Sequence, residues 1–172
     1  MLWRRSWPDP VPPGRSYVFD PHSIPRLVNK DLGYGDAIAS VGESFVMVEW
    51  DLALDALDRA AFEAAITKRP NRVCVAPFRL FPASTGWDRP VWAHRQVTGE
   101  LAWRWVEEGE PQCDWFGFGL IYFPAAVLKA ARPLLETMRT HLGADALFSA
   151  WHFPRYGPVD IVWDARPKHI HW

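Results

Sequence analysis

Phe45-Val46-Met47-Val48-Glu49-Trp50-Asp51 is an apolar run that stops at two carboxylates. Four consecutive apolar residues, two of them β-branched, suit a strand buried on both faces of a mixed or parallel sheet. Such a strand delivers its C-terminal end to a ligand crevice. Side chains alternate along a strand, so Glu49 and Asp51 leave one face and Trp50 the other, and two acids become available to one cation.

Reading outward from this run gives α/β grammar. Asp55 or Asp58 can cap a helix that continues to about Lys68, with Leu57, Ala61 and Ala65 in its apolar stripe beside Phe62 and Ile66. Arg69-Pro70-Asn71 breaks it, and Arg72 to Phe78 reads as a second buried strand, which completes a crossover of the length a parallel pair needs. Upstream, Asp36 to Val41 is a short helix ended by Gly42. Residues 1–25 carry Pro8, Pro10, Pro12, Pro13, Pro21 and Pro25, a density that forbids helix, so they are expected to form an extended arm anchored by Trp3, Trp7 or Tyr17.

Downstream, Val91 to His94 and Leu101 to Val106 are short strand candidates. Cys113 to Phe123 reads as one aromatic strand containing Gly117 and Gly119. Pro124 then opens a helix whose Val127, Ala131, Leu134 and Met138 share a face, with Pro133 kinking or splitting it and Leu142-Gly143 closing it. Asp145 can start a further helical stretch, Ala146 to His152, and Val159 to Trp163 is a last strand before Lys168-His169-Ile170-His171-Trp172. The expected fold is a single α/β domain over residues 26–172, a mixed, mostly parallel sheet flanked by helices.

Composition narrows the function classes. Hydrophobic content of 49% and charged content of 23% are those of an ordinary globular chain. A net charge of -1 lacks the basic surplus that phosphate neutralisation demands, which argues against a general nucleic-acid binder. No run of 18 apolar residues suggests a membrane span, and Arg4 and Arg5 are followed by no apolar leader core. Cys74 and Cys113 read as reduced core thiols, so a cytoplasmic protein is expected. Eleven Trp residues give mild support to a planar or saccharide ligand, although most of them serve packing.

The acidic-x-acidic corner after a hydrophobic strand resembles the Asp-x-Asp signature of GT-A glycosyltransferases, in which it holds a divalent metal against the diphosphate of a nucleotide-sugar. Three later features follow the family's order. Trp115 to Phe123 resembles its small-residue strand, where Gly117 and Gly119 would leave a face bare for donor and acceptor; a β-bulge or tight helix-sheet packing is the alternative use of those glycines. Asp145 stands where inverting members carry a general base, although its ordinary explanation as an N-cap is sufficient by itself. His169 and His171, on one face of an extended segment, resemble the histidine that completes the family's metal site, or are solvated tail residues.

The resemblance covers Phe45 to His171, as order and chemistry without a long motif. Glu49 and Trp50 are an atypical start to the corner, and the amino-terminal nucleotide-binding half is much shortened. It implies Mn²⁺ or Mg²⁺ on Glu49, Asp51 and His169 or His171, a diphosphate neutralised by Lys168, and Trp115, Trp151 and His152 along the acceptor side. The implied activity moves a sugar from a nucleotide-sugar to a protein or saccharide hydroxyl. The alternative is a GT-A-like binding or accessory module whose aromatic surface meets a partner.

Overall fold

In the computed structural model, strand β2 (Phe45–Val48) is buried along its whole length. Residues 1–5, 33–49, 52–79, 90–91, 93–96, 103–140 and 143–169 are described. The continuous apolar run of β2 has a direct cause. Phe45 and Met47 enter one hydrophobic core and Val46 and Val48 a second, on the opposite face. A strand with a core on each side has no solvent face for polar residues.

Around β2 lies a six-stranded sheet. Its other members are β1 (Leu2–Arg5), β4 (Cys74–Ala76), β9 (Gln112–Cys113), β11 (Leu120–Phe123) and β12 (Val159–Ile161), in the order β1-β2-β11-β4-β12-β9. β1 is parallel to β2, and β12 to β4, while β11 is antiparallel to both its neighbours and β9 to β12. Four strands therefore point one way and two the other. The domain is mixed α/β, as the sequence predicts. The six apolar residues Val46, Val48, Val73, Val75, Leu120 and Ile121 are all buried, with Val73 one residue before β4.

The first core is closed by three helices, α1 (Tyr34–Ser40), α3 (Ala125–Leu135) and α4 (Ala144–Tyr156). They contribute Ile38, Val127, Leu128, Ala131, Leu135 and Phe148 to it. On the other face α2 (Ala56–Lys68) lays Phe62 and Ile66 over Val46, Val48, Cys74 and Leu120. Asp55 caps α2, accepting the Leu57 and Asp58 N–H groups at 2.8 Å, while the Asp58 carboxylate accepts the Asp55 N–H at 3.2 Å. This reciprocal capping box satisfies donors that a helix start leaves without partners.

Smaller strands complete the domain. β3 (Leu52–Ala53) pairs with β13 (Lys168–His169), β5 (Phe78–Arg79) with β6 (Pro90–Val91), and β7 (Ala93–Gln96) lies between β8 (Trp103–Trp105) and β10 (Trp115–Phe116). Five differences from the sequence reading have physical causes. The segment read as an arm supplies β1, because Trp3 buries 96% of itself beside Phe62, donates from Nε1 to Glu63 at 2.7 Å and takes the Arg59 guanidinium over its ring; Trp7 and Tyr17 lie outside the described residues. β2 and β4 run the same way but do not pair, since β11 lies between them. Leu57 is 79% exposed, because the buried side of α2 runs through Asp58, Phe62 and Ile66, one helical step away.

The aromatic run from Cys113 is three short strands, not one, with the chain crossing between sheets at Asp114 and again at Gly117–Gly119. Finally, α3 continues through Pro133 and stops at Leu135, and Gly143, in the left-handed region at φ 70°, takes the cap position of α4.

One polar group is built into the sheet. Asp160 of β12 is 3% exposed, and its carboxylate meets Arg69 Nη1 and Arg72 Nε at 3.0 Å and accepts from Gln112 Nε2 at 2.9 Å. Beside it, burial first and the Asp160 charge second push the Cys74 thiol up to about 12. Burial also pushes up the Cys113 thiol. Neither thiol is a thiolate near neutral pH, so neither is a nucleophile.

Candidate functional site

Beyond Val48 the chain leaves the sheet at the acidic corner. The Glu49 N–H donates to the Gly119 carbonyl at 2.7 Å, and the Leu52 N–H donates to the Glu49 carbonyl at 3.2 Å. Glu49 itself is half-buried. Trp50 and Asp51 lie outside the described residues.

Two segments from distant parts of the sequence meet this corner. Arg5, at the end of β1, donates from Nη1 to the Glu49 carbonyl at 3.1 Å and to the Leu52 carbonyl at 2.8 Å. One guanidinium nitrogen thus bonds the backbone on both sides of Trp50-Asp51. β13 runs antiparallel to β3, with His169 opposite Leu52 and Lys168 opposite Ala53. The approach of β13 is fixed from α2: Asp58 accepts the Arg166 N–H at 2.7 Å, and Ala165 is fully buried in the core under α2.

The backbone register therefore brings the residue before Ile170-His171 beside the residue after Asp51. Lys168 is exposed. The His169 side chain, and His171 altogether, lie outside the described residues. Among the described residues no group of three or more His, Cys, Asp or Glu side chains is arranged to hold a metal ion. Glu49 is the one expected ligand whose side chain falls within that search.

The other expected site residues are dispersed. Gly117 and Gly119 are buried, and the space over Gly119 is filled by the Phe78 ring, so the expected bare face there is occupied. Tight packing accounts for that glycine, since any Cβ would overlap the ring. Trp115 is half-buried in β10, in the three-stranded sheet. Trp151 is half-buried on α4 against Phe148 and Tyr156, with the Arg155 guanidinium 5.1 Å from its ring centre.

His152 is an interior residue, 3% exposed, stacked on Phe148 and Tyr156 and edge-on to Phe116. Its expected place along an acceptor surface is corrected to a core position. Burial, then the Arg72 charge, lowers its pKa to about 4. Asp145 is the second residue of α4, where its carboxylate accepts the Ala146 N–H at 2.8 Å. It is not the N-cap, and a carboxylate at this end of a helix is favoured by the macrodipole.

Sequence reasoning missed Arg5 and Asp58 as organisers of the corner. Arg5 shows in the sequence only as one of two basic residues in a Pro-rich stretch, and Asp58 only as a possible cap. Their roles depend on partners more than forty and more than a hundred residues away.

Fold and corner together define a mixed α/β domain in which Arg5 bonds the Glu49 and Leu52 carbonyls and β13 pairs with the short strand that follows. No family model matches the chain, and no curated protein matches it. Among solved structures it is similar to a Bacillus anthracis chain described as a glucose-1-phosphate thymidylyltransferase in complex with a sucrose, at 12% identity and a TM-score of 0.46. The match covers 84% of this chain and 56% of that one, so the chain spans a little over half the length of that protein.

Proposed function

We propose that the chain is a nucleotide-sugar-dependent transferase of GT-A type, which moves a sugar to a saccharide or protein hydroxyl at the Glu49–Asp51 corner. The observation that carries this reading is the register of β13 on β3. It sets Lys168-His169 beside the acidic corner although the two segments are far apart in sequence. A carboxylate corner with basic and imidazole-bearing chain alongside is the donor set that a divalent cation and a diphosphate require. Asp51, with Glu49 and His169 or His171, would hold Mn²⁺ or Mg²⁺, and Lys168 would face the phosphates. The cation would supply positive charge against the leaving diphosphate. Asp145, at a helix start, is retained as the base of an inverting reaction.

Calorimetry tests this. Mn²⁺ and a nucleoside diphosphate are expected each to strengthen the other's binding, because coupling through a shared ion is reciprocal. Asp51→Ala is expected to abolish the coupling while thermal unfolding stays as in the parent. A parent protein without coupling, or a variant that keeps it, overturns the reading.

The filled space over Gly119 and the interior position of His152 favour a second reading, a binding module of the same fold without turnover. It predicts nucleotide binding with no sugar released from the donor.

A further inference from the structure

At the end of the sheet away from the acidic corner, two arginines are held against one buried carboxylate. Arg69 and Arg72 are the first and last residues of a turn in which the Arg72 N–H donates to the Arg69 carbonyl at 3.1 Å, with Pro70 fixing the backbone between them. The turn is tied down from two sides. The Arg69 N–H donates to the Ile66 carbonyl of α2 at 2.9 Å, and the Tyr122 hydroxyl of β11 donates to the Pro70 carbonyl at 2.8 Å. Both arginine side chains reach Asp160, with Arg69 Nη1 and Arg72 Nε each 3.0 Å from the same oxygen, Oδ2.

Two features go beyond charge compensation. A single guanidinium would neutralise Asp160, so the cluster carries one positive charge in excess, and among the described residues neither arginine is paired with a second acid. Oδ2 of Asp160, moreover, is buried and accepts no hydrogen bond although both nitrogens lie at contact distance, so the guanidinium groups are held by charge with their N–H bonds directed elsewhere. Arg72 gives one of these donors, from Nη2, to the Pro158 carbonyl at 2.8 Å, and the Arg69 guanidinium gives none to a described residue. The two side chains are 55% and 43% exposed.

We propose that Arg69 and Arg72 form an oxyanion site that takes the phosphoryl group of a small phosphate or phosphate monoester. A planar carboxylate is matched by a single guanidinium fork, whereas a tetrahedral phosphoryl group presents three oxygens to donors that arrive from two directions. Asp160 is the part of the site beneath the ligand: it draws two like charges together, their contacting nitrogens no more than about 6 Å apart, twice 3.0 Å. Gln112, donating from Nε2 to Oδ1 at 2.9 Å, keeps that carboxylate from turning. The site is separate from the corner. Ala76, at the other end of β4, is level with Val48 across β11, and the four residues from Arg72 to Ala76 span roughly 13 Å of strand. The proposal therefore does not rest on the ligand assigned to the corner.

NMR of the arginine Nε–H groups and calorimetry, both on the full chain, test it with inorganic phosphate, methyl phosphate and acetate at equal ionic strength and mildly alkaline pH. In the parent, millimolar phosphate should shift the Arg69 and Arg72 resonances and leave that of Arg132, an exposed arginine paired with Glu136 on α3, unmoved. This reading needs no variant. In calorimetry Arg69→Gln, which leaves Arg72 on Asp160, should weaken phosphate binding on the order of tenfold, the scale of a lost charged hydrogen bond, while Arg132→Gln should not change it. Acetate should bind at least about tenfold more weakly than phosphate.

Methyl phosphate that binds as tightly as inorganic phosphate, or more tightly, assigns the site to monoesters, and a preference for inorganic phosphate assigns it to the free ion; both uphold a phosphoryl site. Absence of a shift at Arg69 and Arg72 overturns the proposal, as does an equal shift at Arg132, which marks general screening of surface charge. Acetate binding equal to phosphate, or a folded Arg69→Gln protein that binds phosphate as the parent does, overturns it as well.

Discussion

His152 shows how a single side chain can be legible in type and misleading in role. An imidazole beside Trp151 invites a place at a binding surface, yet Phe116, Phe148 and Tyr156 surround it and Nδ1 is buried with no hydrogen-bond partner. The neutral ring is favoured in such a setting because charging it means desolvating an ion. Its pKa falls from 6.5 to about 4, so on acidification the unfolded chain takes up this proton before the folded one does. The contribution to stability is therefore intact above pH 6.5, is lost progressively as pH falls towards 4, and declines no further below that. The loss over this window is on the order of 3 kcal/mol. Urea unfolding of the parent and of His152→Phe at several pH values checks it: the variant is expected to lack this part of the acid dependence. A parallel decline in both proteins would assign the acid sensitivity to other groups. Nothing in the sequence distinguishes a core histidine from a ligand, because the difference lies in three rings contributed by α4 and a strand more than thirty residues away.

At the level of elements, the parts of the fold that rest on local pattern were legible and those that rest on partners were not. β2 reads as a doubly buried strand from four apolar residues in a row, and α2 from Asp55 or Asp58 as a cap and a helical apolar period, although that period took in the exposed Leu57. The division of the Cys113 to Phe123 run among β9, β10 and β11 is invisible in the sequence, since which sheet each piece joins is set by partner strands elsewhere in the chain: β9 and β11 enter the six-stranded sheet and β10 the three-stranded one. The corner was legible as chemistry through Glu49 and Asp51, whereas its supports, Arg5 and Asp58, are set by register between distant strands. Helix α1 offers a sharper test of how elements meet. Gly35 donates its N–H to the Met138 carbonyl at 2.8 Å, and a Cβ there would overlap the Leu135 carbonyl at the end of α3. Helix propensity alone favours Ala over Gly by about 1 kcal/mol. Backbone overlap outweighs it, because the obstacle is a carbonyl that cannot rotate away. Gly35→Ala is expected to destabilise by about 2 kcal/mol, the scale of overpacking, measurable as a lowered denaturant midpoint with the slope unchanged. A variant as stable as the parent would show that α1 and α3 separate without cost.

On the scale of the molecule, the position of β11 governs how the sheet is put together. It lies between β2 and β4 and is antiparallel to both, and β4 has as its neighbours only β11 and β12. Neighbouring strands are about 4.8 Å apart, so β2 and β4 are held roughly 10 Å from each other with nothing of their own to bridge the space. A fragment comprising residues 1–110 contains β1, β2, α2 and β4 but neither neighbour of β4. It is expected to show no cooperative thermal transition, and a sharp transition in such a fragment would mean that β2 and β4 can pair directly. The same arrangement sets a timetable during synthesis. A chain leaving the ribosome presents Phe45 to Val48 and Val73 to Ala76 well before Leu120 to Phe123 exists to join them. Those two apolar strands must wait uncovered while some forty further residues are added, at about 5–20 residues per second. The nascent chain is thus exposed for seconds as a substrate for chaperones, and the interleaved strand that stabilises the finished sheet is also what delays its closure.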